Sequence, residues 1–274
     1  MKKSITKSLG GLLAITLISF TLTGCYKKVA VEKSRTVTKV SMSLDTNESS
    51  KETQDGITIR VRAIHPDNIE QYASLLAKVD YYWYRYYNNG NHVLNSDGTY
   101  AVHTSTLNMS LLPFPAFEVK ITNTTKHVLR FSNAVIAVED DKGNSYDALA
   151  KSDLSDYLSQ STQAYFKHKK KYKLNDGEEA NLQSKLRNIR ILDNNIKVLP
   201  GKTVKAYVAI NYGNYTDNDA KKFIISNPKL TLGLYELPSE VNQAGVATKT
   251  TNFNFVYNVN VKDEIQKYTV YEYQ

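Results

Sequence analysis

The chain is expected to be mainly β, an antiparallel sandwich with helical insertions at about 68–88 and 151–193. Three observations predict this. Apolar and polar residues alternate with period two in several segments, as in half-buried strands. Turn-forming Asn, Asp and Gly separate those segments at hairpin spacing. No regular alternation of strand and helix, the mark of a parallel sheet, appears along the 274 residues.

Taken in order, the first segment is an address. Lys2, Lys3 and Lys7 precede an uncharged stretch from Ser8 to Gly24 that is rich in Leu and Ile. A basic n-region before an apolar h-region is the pattern of a signal peptide, here residues 1–24. Its 17 uncharged residues fall short of the ~20 that span a hydrocarbon core, and Gly10 and Gly11 weaken a permanent helix. The stretch ends in Leu22-Thr23-Gly24-Cys25, which resembles the lipobox of bacterial lipoproteins. The resemblance implies cleavage before Cys25, acylation of this cysteine as the new N-terminus and a membrane partner held through that N-terminal lipid. It also implies sorting. In many Gram-negative bacteria an aspartate after the lipidated cysteine retains the protein in the inner membrane, and Tyr26 stands here, which favours the outer membrane in such a host.

Cys25 is the one cysteine of the chain, so no internal disulfide can form and the fold relies on its apolar core. Cleavage removes three lysines and no acids, leaving 32 basic against 27 acidic side chains, a net charge of +5. That surplus calls for no nucleic-acid partner. The 20 tyrosines suit half-buried strands and wet binding faces alike.

Residues 25–56 read as the lipidated N-terminus and a polar tether with one candidate strand around Val37, Val40 and Met42. The β domain is expected over 57–262. Ile57, Ile59, Val61 and Ala63 alternate with Thr58, Arg60 and Arg62, the first clear strand. Pro66-Asp67-Asn68-Ile69-Glu70 then fits a helix start, with Asp67 as N-cap. Ile69, Tyr72, Leu76, Val79, Trp83 and Tyr86 recur at helical spacing up to the stop at Asn88-Asn89-Gly90, which predicts a helix over about 68–88.

Strands follow at Phe117–Ile121, Val128–Phe131 and Ala134–Val138, the last leading into the turn Asp140-Asp141-Lys142-Gly143-Asn144. Leu154, Tyr157 and Leu158, and later Leu182, Leu186 and Ile189, give the stretch 151–193 its helical character. After a turn at Pro200-Gly201, extended segments are expected through Val204–Tyr212, Leu230–Leu234 and Phe253–Val261, with a long loop from Pro238 to Lys249 and a tail over 263–274. The run Phe117–Thr125, the Asp-Lys-Gly turn at 141–143 and Leu199-Pro200-Gly201-Lys202 together resemble immunoglobulin-like domains of exported bacterial lipoproteins. That resemblance implies an immunoglobulin-like β-sandwich.

Two clusters are candidate binding sites. In the run Tyr81-Tyr82-Trp83-Tyr84-Arg85-Tyr86-Tyr87, a helix would turn Tyr81, Tyr84, Arg85 and Tyr87 toward solvent, where they could stack on sugars or anchor a protein. The plainer reading is a helix covering the sandwich with its rings half buried. Lys169, Lys170 and Lys171, within Lys167–Lys173, would meet anionic headgroups or stand as a solvated face of the insertion.

Asp140, Asp141 and Asn144 lack the ligand spacing of a calcium loop and read as a hairpin turn. The five histidines show no metal-ligand spacing, and neither a His-Glu-x-x-His motif, a nucleophile elbow nor a phosphate loop occurs, so no cofactor is expected. These readings favour a non-enzymatic, lipid-anchored envelope module that binds another envelope protein or a glycan. The alternatives are a carbohydrate or peptidoglycan binder using residues 81–87 and a hydrolase whose site is assembled from distant residues.

Overall fold

A computed structural model describes residues 28–44, 50–66, 68–85, 91–167, 172–174, 177–210 and 217–273. The described residues fall into two units, one drawn from 28–36 and 265–273 and one from 37–264. The described strands are β1 (Lys28–Leu44), β2 (Lys51–Gln54), β3 (Ile57–Ile64), β4 (Leu76–Tyr84), β5 (Val102–Ser110), β6 (Ala116–Asn123), β7 (Leu129–Arg130), β8 (Val135–Asp140), β9 (Ser145–Asp147), β10 (Tyr172–Leu174), β11 (Lys197–Val198), β12 (Thr203–Ala209), β13 (Lys229–Val241) and β14 (Ala247–Tyr273). The helices are α1 (Asp153–Lys167), α2 (Glu178–Arg187) and α3 (Asp217–Ser226).

The protein is mainly β and its sheets are antiparallel. Five strands are ordered β1-β14-β13-β8-β9, four are ordered β12-β6-β3-β2, three are ordered β10-β4-β5, and β11 pairs with β7. The alternation at 57–63 does what period two requires. Ile57, Ile59 and Val61 are buried, as are Phe117, Val119 and Ile121 on β6 and Ala206 and Val208 on β12. They share one core with Ile136 and Val138 of β8, Leu230, Leu232 and Leu234 of β13, and Phe253, Phe255 and Tyr257 of β14. Polar residues between them are left for the outer face of the four-stranded sheet.

Tight turns set the registers. Asp55 and Gly56 both have positive φ, 47° and 78°, as a two-residue turn joining β2 to β3 demands. The Asp140–Asn144 turn closes the β8–β9 hairpin, with the Asp140 carboxylate accepting from the Lys142 and Asn144 backbone N–H groups at 2.9 and 2.8 Å. The β13–β14 connection is shorter than the loop expected from Pro238 to Lys249. Pro238 instead lies within β13, opposite Thr250 of β14 and between two register shifts. Pairing of β13 with β8 ends at Tyr235, so the missing N–H of Pro238 falls where the strand has become an edge.

The helix expected over 68–88 does not form. Two 3-10 turns, Ile69–Gln71 and Ala73–Leu75, are followed by β4, which pairs with β5 from Leu76–Ser110 to Tyr84–Val102. Asp67 and residues 86–88 lie outside the described residues. Asn68 does not cap a helix. Its Oδ1 accepts from the His65 backbone N–H at 2.9 Å and its Nδ2 donates to the Ala63 carbonyl at 3.0 Å, which ties the segment back to β3. In β4 the buried Ala77, Val79 and Tyr81 alternate with exposed Lys78 and Asp80, a period of two that outweighs the helical spacing. Aromatic residues favour that pleated surface.

The stretch 151–193 does carry helices. Leu154, Tyr157 and Leu158 of α1 and Leu182 and Leu186 of α2 are buried, and apart from Tyr157 they share a second core with Ala77 and Val79 of β4. The region read as a tether contains β1 and β2, with Val40 and Met42 buried, and β14 continues through the residues assigned to a C-terminal tail. Within the larger unit, Thr38 Oγ1 donates to Asp263 at 2.7 Å and Asn260 Nδ2 to Ser43 Oγ at 3.0 Å, pairs that run in opposite directions along β1 and β14. Within the smaller unit, the Arg35 guanidinium donates to Gln266 Oε1 at 2.7 and 3.0 Å.

Candidate anion-binding face

The outer face of the four-stranded sheet is built by register. Lys51 of β2 lies opposite Arg60 of β3, Arg60 opposite Lys120 of β6, and Lys120 opposite Lys205 of β12. Four cations thus stand in one row across four strands. Two residues along on the same face is a second row, Thr53, Thr58, Thr122 and Thr203, again one from each strand. On the other side of the cations Arg62 lies opposite Glu118, and Glu118 opposite Tyr207. Like charges directly opposite one another are destabilising in a sheet, so the row is held at a cost.

Two hollows flank Lys120. One, of about 300 Å³, lies among Arg62, Gln71, Tyr72, Ser74, Glu118, Lys120 and Lys205. The other, of about 330 Å³, lies among Lys51, Thr58, Arg60, Lys120, Thr122 and Thr203. Glu118 is the single acid among these lining residues. It is buried, and its carboxylate takes Lys205 Nζ at 2.6 Å and Lys120 Nζ at 3.8 Å. The bond to Glu118 lifts the Lys205 ammonium above the usual lysine range, so this cation keeps its charge. Burial, followed by the Glu118 charge, likewise raises the Tyr72 phenol, which stays neutral and can donate into the hollow.

The hydroxyl row is also half organised. Thr53 and Thr58 share a hydrogen bond of 2.9 Å, and Thr122 and Thr203 one of 2.8 Å. Each pair consumes one of its two hydroxyl protons and leaves the other to donate elsewhere. The face therefore offers charge and hydrogen-bond donors side by side. It can hold and neutralise a negative ligand.

The sequence-derived candidates fare unevenly. Because β4 is a strand, Tyr81 turns inward and is buried, not exposed as the helix required. Tyr84 is half buried and Arg85 exposed. Tyr82 joins Tyr84 on the outer side of β4, where Tyr84 meets Tyr100 edge to face at 5.6 Å and His92 at 5.2 Å. Tyr87, Lys169, Lys170, Lys171 and Cys25 lie outside the described residues. No three His, Asp or Glu side chains converge as metal ligands among the described residues, and no described helix is long and apolar enough to cross a membrane.

Sequence reasoning saw Arg60 and Arg62 on the polar side of a strand but not the row they join. That row depends on which residues of β2, β6 and β12 face them. A hollow of about 600 Å³ beside β8 and β9 mixes Asp147, Lys151 and Asp193 with apolar groups and gathers no single sign of charge. No family model, no curated protein and no solved structure matches the chain, so the face stands on its own geometry.

Proposed function

We propose that the protein is a lipid-anchored, non-enzymatic module of the bacterial cell envelope that binds an anionic envelope component on the outer face of its four-stranded sheet. The cation row Lys51–Arg60–Lys120–Lys205 carries the reading. The lipobox-like Leu22-Thr23-Gly24-Cys25 supports the anchor. The shared core of the two larger sheets and their hairpin connections support an immunoglobulin-like sandwich as the scaffold.

Two measurements test the two halves. A fatty-acid analogue fed to cells should label the wild-type protein and not the Cys25→Ala variant, and an unlabelled wild type overturns the anchor. Purified full-length protein should bind dextran sulfate with an affinity that falls as salt rises, because bound counterions are released. The Lys51→Gln/Arg60→Gln variant should bind about tenfold more weakly. Binding that ignores both salt and these substitutions overturns the face.

A second reading rests on the aromatic side of β4. Tyr100 is 54% exposed and packs against half-buried Tyr84, an arrangement suited to stacking on a neutral sugar. Loss of glycan binding in Tyr100→Ala, with dextran sulfate binding intact, would separate it from the first.

A further inference from the structure

We infer that the natural ligand of the cation face is a linear acidic polysaccharide, a chain of sugars carrying carboxylates, laid across the strands. The inference rests on the anion-binding reading above and names its ligand class.

Three features of the face select that chemistry. The first is period. Lys51, Arg60, Lys120 and Lys205 occupy successive strands in register, so the row repeats at the inter-strand distance of ~4.8 Å. One pyranose residue advances a glycan by a similar step. A uronate chain crossing the strands then brings one sugar to each strand.

The second feature is the threonine row. A ligand that only accepts, such as polyphosphate, can take the free hydroxyl protons but returns none to the threonine oxygens. A sugar has hydroxyl groups beside every carboxylate. The pairs Thr53–Thr58 and Thr122–Thr203 each keep one proton to donate and have oxygen lone pairs to accept with. The rows lie two residues apart, ~7 Å along each strand, so a ring can touch a cation on one edge and a hydroxyl on the other.

The third is shape. The hollows of about 300 and 330 Å³ lie on either side of the cation row along the strands and both touch Lys120, so the face has relief and the row stands between two depressions. A chain can follow that relief along the row, whereas an anionic bilayer presents a flat layer of headgroups. Glu118, held by Lys205 at 2.6 Å, lines one of these depressions beside the row.

The test uses the purified full chain and four probes: galacturonate oligomers of graded length, linear inorganic polyphosphate, dextran sulfate, and vesicles of phosphatidylglycerol. Galacturonate affinity should rise with length to about four sugars, one for each strand crossed, and level off beyond. Lys51→Gln/Arg60→Gln should weaken it about tenfold. Thr122→Val/Thr203→Val, which keeps shape and removes one hydroxyl pair, should weaken galacturonate binding several-fold and polyphosphate binding less, because only the sugar both donates to and accepts from the pair. Tight binding of polyphosphate, dextran sulfate or vesicles through the same cations, with galacturonate ignored, overturns the acidic glycan and leaves the anion-binding reading standing. If none of the four probes responds to the cation substitutions, both fall. Unchanged circular dichroism and unfolding midpoints establish that these exposed positions were altered without loss of fold.

Discussion

At the scale of single residues, Glu118 and Tyr257 illustrate two ways of burying a polar group. Glu118 is 5% exposed yet lies against Lys205 at 2.6 Å and Lys120 at 3.8 Å. It lets three cations, Arg62 included, converge on one hollow. Glu118→Gln should therefore have opposite effects on fold and binding. The cations lose their partner and stability falls by about 1–3 kcal/mol, while dextran sulfate binds more tightly because the one acid lining these hollows is gone. Denaturant midpoints and a binding isotherm on the same preparation check both signs. Tyr257 is 2% exposed and its hydroxyl has no hydrogen-bond partner among the described residues. Burial pushes its phenol well above the usual tyrosine range, so it is neutral at any physiological pH. Tyr257→Phe removes a group that was desolvated for no return, and the variant should match or exceed the wild type in stability, by up to about 1 kcal/mol. A fall of that size in the unfolding midpoint would show that the hydroxyl has a partner after all.

At the scale of elements, the β8–β9 hairpin depends on one carboxylate. Asp140 is buried, which alone would raise its pKa, but bonds from the Asn144 side chain, the Asn144 and Lys142 backbone and the Tyr146 hydroxyl outweigh this and hold it below the usual carboxylate range. A depressed folded-state pKa means stability that is present above the unfolded value and lost as pH falls through the folded one. Acidification from the ordinary aspartate range downward should thus weaken the wild type along a limb that Asp140→Asn lacks, as a pH series of unfolding midpoints would read. This hairpin was legible in sequence, because Asp, Gly and Asn at fixed places leave few conformations open. The strands at 57–64 and 116–123 were legible as well, since each has one dry face. Strand β4 was not, for Leu76, Val79 and Trp83 fit a helical stripe as well as Ala77, Val79 and Tyr81 fit a pleat. Only pairing with β5 decides, and β5 is mostly polar, with Val102, His103 and Thr104 exposed. The cation row was beyond sequence for the same reason. Each member sits on a different strand, and register between distant strands is a tertiary fact.

For the whole molecule, the proposed lipid anchor and the proposed anion-binding face make different demands on the surroundings. Acyl chains hold by burying methylenes at about 0.8 kcal/mol each, a term that salt does not screen. The cation row holds by charge over distances near the Debye length of ~8 Å, a term that salt erodes. A full chain that uses both should therefore separate them on fractionation. In washed membranes at low salt, wild type and Lys51→Gln/Arg60→Gln should both sediment, since the lipid suffices. In high salt both should stay, and only detergent should release them. A Cys25→Ala chain begun at residue 25 should sediment at low salt through its basic face alone and leave in high salt. Combining Lys51→Gln/Arg60→Gln with Cys25→Ala in a chain begun at residue 25, which lacks the apolar stretch 8–24, should leave the protein in the wash throughout. Immunoblots of the salt and detergent washes give the answer directly. Release of the wild type by salt alone would mean that charge, not lipid, attaches it. Retention of the combined variant would place attachment elsewhere in the chain, with Lys169, Lys170 and Lys171 the first residues to substitute.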